Sequence, residues 1–241
     1  MDGGEIGDET WTAAGSPYLV SGDVIVPEGK TLTLEAGTQV IVGASDLTAA
    51  GSDPELVEFN IHGEFYANGN VSSPVRLWNE KAESQSSWYG VILEPEATRA
   101  RFSYTEIANG ASCIEMRHGA ANVEIVATTL STCDTGAYLL GDVSRFDRVL
   151  VQDSRYGVWI QDAVGTTFSN FVARTNDKGI FVVDSQVSVQ AATFVDNTIG
   201  FMAAGAIDEP TRITLSNSIV ADNSQQLKVG GSMSMAVNYS D

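Results

Sequence analysis

Short stretches of alternating apolar and polar residues recur along the chain, each closed by a cluster of Gly, Asn, Asp or Ser. The stretch Ser169-Asn170-Phe171-Val172-Ala173-Arg174-Thr175-Asn176-Asp177-Lys178-Gly179 is representative. Two-residue alternation rich in β-branched and aromatic side chains predicts half-buried strands, and the polar clusters predict turns. No segment carries helical periodicity, so an all-β chain is expected.

Aligning the strand starts reveals a repeat. Gly90-Val91-Ile92-Leu93, Gly136-Ala137-Tyr138-Leu139, Gly157-Val158-Trp159-Ile160, Gly179-Ile180-Phe181-Val182 and Gly200-Phe201-Met202-Ala203 share one pattern, and the last four begin 21, 22 and 21 residues apart. Such a period without a helical element means one solenoid coil per repeat. Each strand then pairs with its equivalent one turn away, about 4.8 Å distant, with no crossover helix. Six residues before the glycines stand Leu130, Val151, Ala173 and Phe194, extended by Ile107 and Val220, a column predicted to stack in the core. Three residues before them stand Cys133, Ser154, Asn176 and Asn197, extended by Asn223. Asparagines stacked at a turn can pass amide hydrogen bonds from coil to coil, so Asn176, Asn197 and Asn223 are predicted to form a structural ladder.

The first part of the chain departs from the strict period. Val26 to Gly37 reads VPEGKTLTLEAG, followed by Gly63-Glu64-Phe65-Tyr66-Ala67-Asn68-Gly69, Pro74-Val75-Arg76-Leu77 and Trp88-Tyr89-Gly90-Val91. This order resembles the opening of secreted bacterial right-handed parallel β-helix repeat proteins, whose solenoid is pectate-lyase-like. The resemblance continues through the repeats to about residue 230. It implies an extracellular or cell-surface setting and does not select an activity, because such proteins include adhesins, surface-layer components and carbohydrate-active enzymes.

Repeat and resemblance together predict an all-β, single-stranded right-handed parallel β-helix with coils of about 21–24 residues. Residues 1–15 are expected to be an N-terminal tail and 16–241 a single domain. Within it, 16–87 form irregular coils, 88–230 regular coils, and 231–241 a terminal strand or tail. Ala44 to Pro54 and Asn79 to Ser87 are polar and irregular, and are expected to project as loops.

Charge narrows the partners. Lys and Arg number 13 against 31 Asp and Glu, a net charge of −18, which repels nucleic acid and anionic membranes. No apolar run approaches the roughly 18 to 20 residues of a membrane span. The N-terminus lacks the basic and apolar stretches of a secretory signal, and reads as a trimmed or mature start. Two cysteines, Cys113 and Cys133, provide no zinc motif; they lie near successive turns in different columns, so a disulfide and a pair of buried thiols are equal alternatives.

Candidate chemistry is sparse. β-Helix lyases and hydrolases need acids with an Arg or Lys, or closely set aspartates, on one outward strand face. The outward positions here, second and fourth after each glycine, are Ile92 and Glu94, Tyr138 and Leu140, Trp159 and Gln161, Phe181 and Val183, Met202 and Ala204, with Glu115 and Arg117 in the intervening coil. Catalytic candidates reduce to Glu94, Glu115 and Arg117 with His118, and to Asp153 with Arg155. Asp153, Asp196 and Asp222 align in a turn, where capping is the simpler role. His62 and His118 each adjoin a glycine and read as turn residues. Thr128, Thr129 and Thr132 do not recur as the outward ladder of an ice-binding face. No metal set and no cofactor are expected; Ca²⁺ is the one ion the fold would suggest.

The apolar outward face is the unusual feature. Tyr138, Leu140, Trp159, Phe181, Val183 and Met202 stand where strands normally carry polar residues, so the face calls for a cover: a chain segment, another subunit or a ligand. Aromatics and Met favour protein contact or self-association, and the scarcity of hydrogen-bonding groups beyond Gln161 makes polysaccharide the lesser partner. The function expected is a non-catalytic extracellular or cell-surface module for adhesion, assembly or partner contact. The alternative is a polysaccharide lyase or hydrolase.

Overall fold

The computed structural model describes residues 1–43, 45–79, 86–205, 211–231 and 233–238. Their strands wind into a right-handed parallel β-helix of three sheets, with ten strands in sheet 1, ten in sheet 2 and nine in sheet 3 among the described residues. One coil shows the scheme: Thr135–Leu140 in sheet 1, Arg145–Asp147 in sheet 2 and Leu150–Gln152 in sheet 3. Each strand pairs in parallel with its equivalent in the next coil, as Tyr138 with Trp159 and Trp159 with Phe181.

Alternation becomes inside and outside. In Tyr156–Gln161, Val158 and Ile160 are buried while Trp159 and Gln161 are half-exposed. The predicted core column is realised in sheet 3, where Ile107, Leu130, Val151, Ala173, Phe194 and Val220 follow one another in register. Phe146, Phe168, Phe171, Phe194 and Phe201 continue the filling, with edge-on ring contacts of 4.7 to 5.8 Å. Each such ring contributes about 1.5–3 kcal/mol by leaving water.

Two columns hold the turns. Asn176 N–H donates to Asn197 Oδ1 at 3.0 Å, and Asn197 N–H to Asn223 Oδ1 at 2.9 Å; the Nδ2 groups of Asn176 and Asn197 donate to the same oxygens at 3.0 and 2.9 Å. Ser154 and Cys133 extend this ladder through backbone donation to Asn176 Oδ1 and Ser154 Oγ. One residue before it, Thr132, Asp153, Thr175, Asp196 and Asp222 take φ between 54° and 57°, a left-handed turn conformation that Asp tolerates better than most residues. The aspartate column is therefore a turn feature. The glycine column has a steric cause: a Cβ on Gly136 or Gly179 would stand 2.5 Å from the carbonyl oxygen of the next glycine.

The structure revises two expectations and settles a third. Residues 1–15 are not a tail: Gly4–Glu5 and Glu9–Trp11 begin sheets 1 and 2, and Trp11 is buried, stacked on Tyr18 at 4.7 Å. Short strands with little alternation left no signal there. Of the loop expected at Ala44 to Pro54, residues 45–53 do not project but fold back on sheet 1; Ala44 and most of Asn79 to Ser87 lie outside the described residues. Of the two cysteine alternatives the structure has the disulfide, with Cα atoms 6.0 Å apart, a span bridging geometry allows even between different columns. The terminal strand is present as Met233–Asn238 in sheet 2.

Candidate functional site

The outer face of sheet 1 carries one continuous column. Ile25, Asn60, Ile92, Glu115, Tyr138, Trp159, Phe181, Met202 and Lys228 are successive partners from coil to coil. Leu140, Gln161, Val183 and Ala204 form the column beside its later half.

From Tyr138 onward the face is aromatic. Ring centroids of Tyr138 and Trp159 are 5.1 Å apart, and those of Trp159 and Phe181 5.3 Å. Tilted contacts at this spacing add about 0.5–1.5 kcal/mol each beyond burial. Tyr138, Leu140, Trp159, Phe181, Val183 and Met202 are all half-buried, as expected of side chains shielded by the coils above and below. Sequence reasoning missed Tyr156, which precedes Gly157 and meets Trp159 at 5.1 Å and Phe181 at 6.1 Å. It begins its strand, in register with Thr135 and Lys178, outside the two positions counted after each glycine. An aromatic before a repeated glycine was the available signal. Lys178 Nζ stands 4.2 Å from the Tyr156 centroid and the Arg155 guanidinium 4.9 Å, both within cation–π range. Burial raises the Tyr138 hydroxyl above its ordinary value, with the negative charges of Glu115 and Asp162 adding to it.

Toward the N-terminus the same face is polar and covered. Asp23 and Glu58 are fully buried. Asp23 accepts the N–H groups of Glu58 and Ala50, each at 2.8 Å; Glu58 accepts those of Ser52 at 3.0 Å and Asp53 at 2.5 Å. Asp46 accepts from Asp23 and Thr48 at 3.2 and 2.9 Å. These carboxylates clamp residues 45–53 as a strap across the sheet. Ile92, the outward register partner of Asn60, is fully buried yet outside the interior core cluster. Gly51 lies so close to Glu58 and Asn60 that a Cβ there would be 2.9 Å from Asn60 Nδ2. Burial pushes Asp23 up to about 6, assisted by the charges of Asp46 and Glu58 and opposed by its backbone hydrogen bonds. Burial likewise raises Glu58, against the N–H groups of Ser52 and Asp53.

Glu94, Glu115 and Arg117 meet at the junction of the two regions. Arg117 Nη1 donates to both Glu94 oxygens at 2.9 and 2.8 Å, its Nε to Glu115 at 3.2 Å, and its Nη2 to Ser52 Oγ of the strap. Tyr89 donates to Glu115 at 3.0 Å; burial and the Glu115 charge raise the Tyr89 hydroxyl. Burial opposes the Arg117 charge, but Glu94 and Glu115 raise its proton affinity overall. The arrangement binds charge to charge and latches the strap. Asp153 accepts Thr175 Oγ1 at 2.6 Å, and Arg155 pairs with Asp134 at 2.8 Å. His118 faces Asp162 at 3.2 Å, and His62 faces Glu96 at 3.0 Å. Among the described residues no group of three or more His, Cys, Asp or Glu is set to hold a metal ion, and no helix is long and apolar enough to cross a membrane.

Three parallel sheets wound from one repeating coil, with an aromatic outer column on the first, define a right-handed β-helix with a presentable flat face. The chain belongs to the right-handed β-helix region family, whose model matches residues 80–238. No curated protein and no solved structure matches the chain.

Proposed function

We propose that the chain is a non-catalytic contact module of an extracellular or cell-surface protein, and that it meets a basic protein partner on the aromatic face of sheet 1. The observation that carries this reading is the unbroken outward column Tyr138, Trp159, Phe181 and Met202, joined by Tyr156. Tyr, Trp, Phe and Met are the residues that enrich interface centres. The net charge of −18, with Glu115 and Asp162 acting on Tyr138, selects a partner that brings Lys or Arg beside apolar side chains. A second copy of the chain would bring like charge to like charge. The Cys113–Cys133 bridge supports an oxidising compartment.

The test uses two amphipathic helical peptides of equal apolar content, one with a Lys polar face and one with a Glu polar face. Wild type binds the Lys peptide, and W159S combined with F181S weakens that binding about ten-fold or more, the loss of two interface anchors. Equal binding by wild type and variant would mean that charge alone recruits the peptide and would overturn the reading. A wild-type dimer in light scattering that the variant abolishes would replace the basic partner by self-association. A polysaccharide-active enzyme, with Glu94, Glu115 and Arg117 as its residues, is the alternative; new reducing or unsaturated ends from a polysaccharide panel with calcium would establish it instead.

A further inference from the structure

Basic residues are scarce in this chain and unevenly placed. Four of the 13, Arg99, Arg101, Arg145 and Arg148, lie on or at the edge of the outer face of sheet 2 in neighbouring coils. Tyr66, Arg101, Glu124 and Arg145 succeed one another in register. Arg99 and Arg101 are two residues apart on one strand, so both side chains leave the same face. A cleft of about 220 Å³ lies between these columns, lined by Tyr66, Arg99, Arg101, Asn122, Glu124 and Ser144.

The positive charge in this patch is incompletely neutralised. Arg101 stands 3.7 Å from Glu124, and Arg145 and Arg148 share Asp147 at 3.2 Å each. Arg99 makes no ion pair among the described residues and lies against the Tyr66 hydroxyl. Three of the four guanidiniums thus share two carboxylates, and Arg99, in register with Glu64 on the neighbouring strand, is left without an ion pair among the described residues. Glu64, the remaining acid nearby, is engaged at 2.8 Å by Tyr66 and at 3.4 Å by Thr98. In a protein of charge −18 this local concentration of guanidiniums stands out.

We propose that the cleft binds a single oxyanion group, carboxylate or sulfate, held between the Arg99 and Arg101 guanidiniums, with the Ser144 hydroxyl as a neutral donor. Guanidinium forks match the oxygens of such groups in paired hydrogen bonds. The chain-wide negative charge repels a polyanion, so the ligand is an otherwise neutral molecule with one isolated anionic group. Glu124 is the resident competitor at Arg101, its 3.7 Å separation too long for a hydrogen bond.

Calorimetric titration of the full chain with sodium sulfate and with sodium glucuronate, against sodium chloride at matched ionic strength, tests the site. Saturable one-site binding of at least one anion is expected; R99Q with R101Q weakens it about ten-fold or more, consistent with charged hydrogen bonds lost, without altering circular dichroism or melting. E124Q, which frees Arg101, tightens it several-fold. No saturable binding of either anion, equal binding by wild type and R99Q/R101Q, or no tightening in E124Q overturns the proposal. Preference for one anion identifies the oxyanion and upholds the site.

Discussion

The outer face of sheet 1 is treated in two ways by one chain. Around Asn60 it is roofed by the strap, and its outward positions include the buried carboxylates of Asp23 and Glu58, which accept backbone N–H groups. From Tyr138 to Ala204 the outward positions include no carboxylate, and the rings meet one another instead. The scaffold is common to both regions, so the outward side chains alone decide what can lie on each. Buried carboxylates capture irregular backbone, which has N–H groups to satisfy. A row of aromatic rings offers such backbone no acceptor and favours side-chain contact.

The sharpest way to break this contrast is Glu58→Ala. It leaves the N–H groups of Ser52 and Asp53 without their acceptor and costs about 2–3 kcal/mol; urea denaturation should show the loss, and proteolysis should cut the strap first. If cleavage stays outside residues 45–53, Glu58 is not what holds them. Asn197→Ala acts on the aromatic half from beneath, removing the shared acceptor of Asn176 and costing about 2 kcal/mol, again read from urea midpoints. A smaller effect separates the halves by pH. Asp23 is lifted to about 6 from 3.8, so the folded state holds its proton more tightly than the unfolded chain. Its contribution to stability grows as pH falls through about 6 and is lost as pH rises through that value. The melting temperature should rise by roughly 2–4 °C between about pH 7.5 and pH 5, and Asp23→Asn should remove most of that rise; an unchanged rise in the variant would assign it to general charge relief. Least of all, Phe181→Ser alone should cost about 1 kcal/mol, chiefly its ring contact with Trp159, because the ring packs on the outside, even as peptide binding falls.

What could be read from the sequence follows from repetition. The glycine, asparagine and core columns recur coil after coil, and each recurrence confirms the register, so Tyr138, Trp159 and Phe181 could be placed outward before any coordinates. The strap could not be foreseen, because residues 45–53 have no period and their seat depends on Asp23, remote in sequence, and on a turn of the chain that brings Glu58 back against Ser52 and Asp53. Tyr156 was passed over because register was counted only after the glycine. Glu94, Glu115 and Arg117 were legible as neighbours, but their tie to Ser52 was not. Asp153 and Arg155 were legible as neighbours along a turn, but their partners in adjacent coils, Thr175 and Asp134, were not.

Tension gives the Cys113–Cys133 bridge another meaning. It joins the coil of Glu115 to the coil of Tyr138, the border between roofed and bare regions. A force applied at the two ends of the solenoid would peel coils in succession, but the segment between the cysteines, separated by 20 positions, is short-circuited. Fully stretched, the chain stays about 70 Å shorter than its residue count allows, at roughly 3.5 Å per residue, until a reductant releases that hidden length.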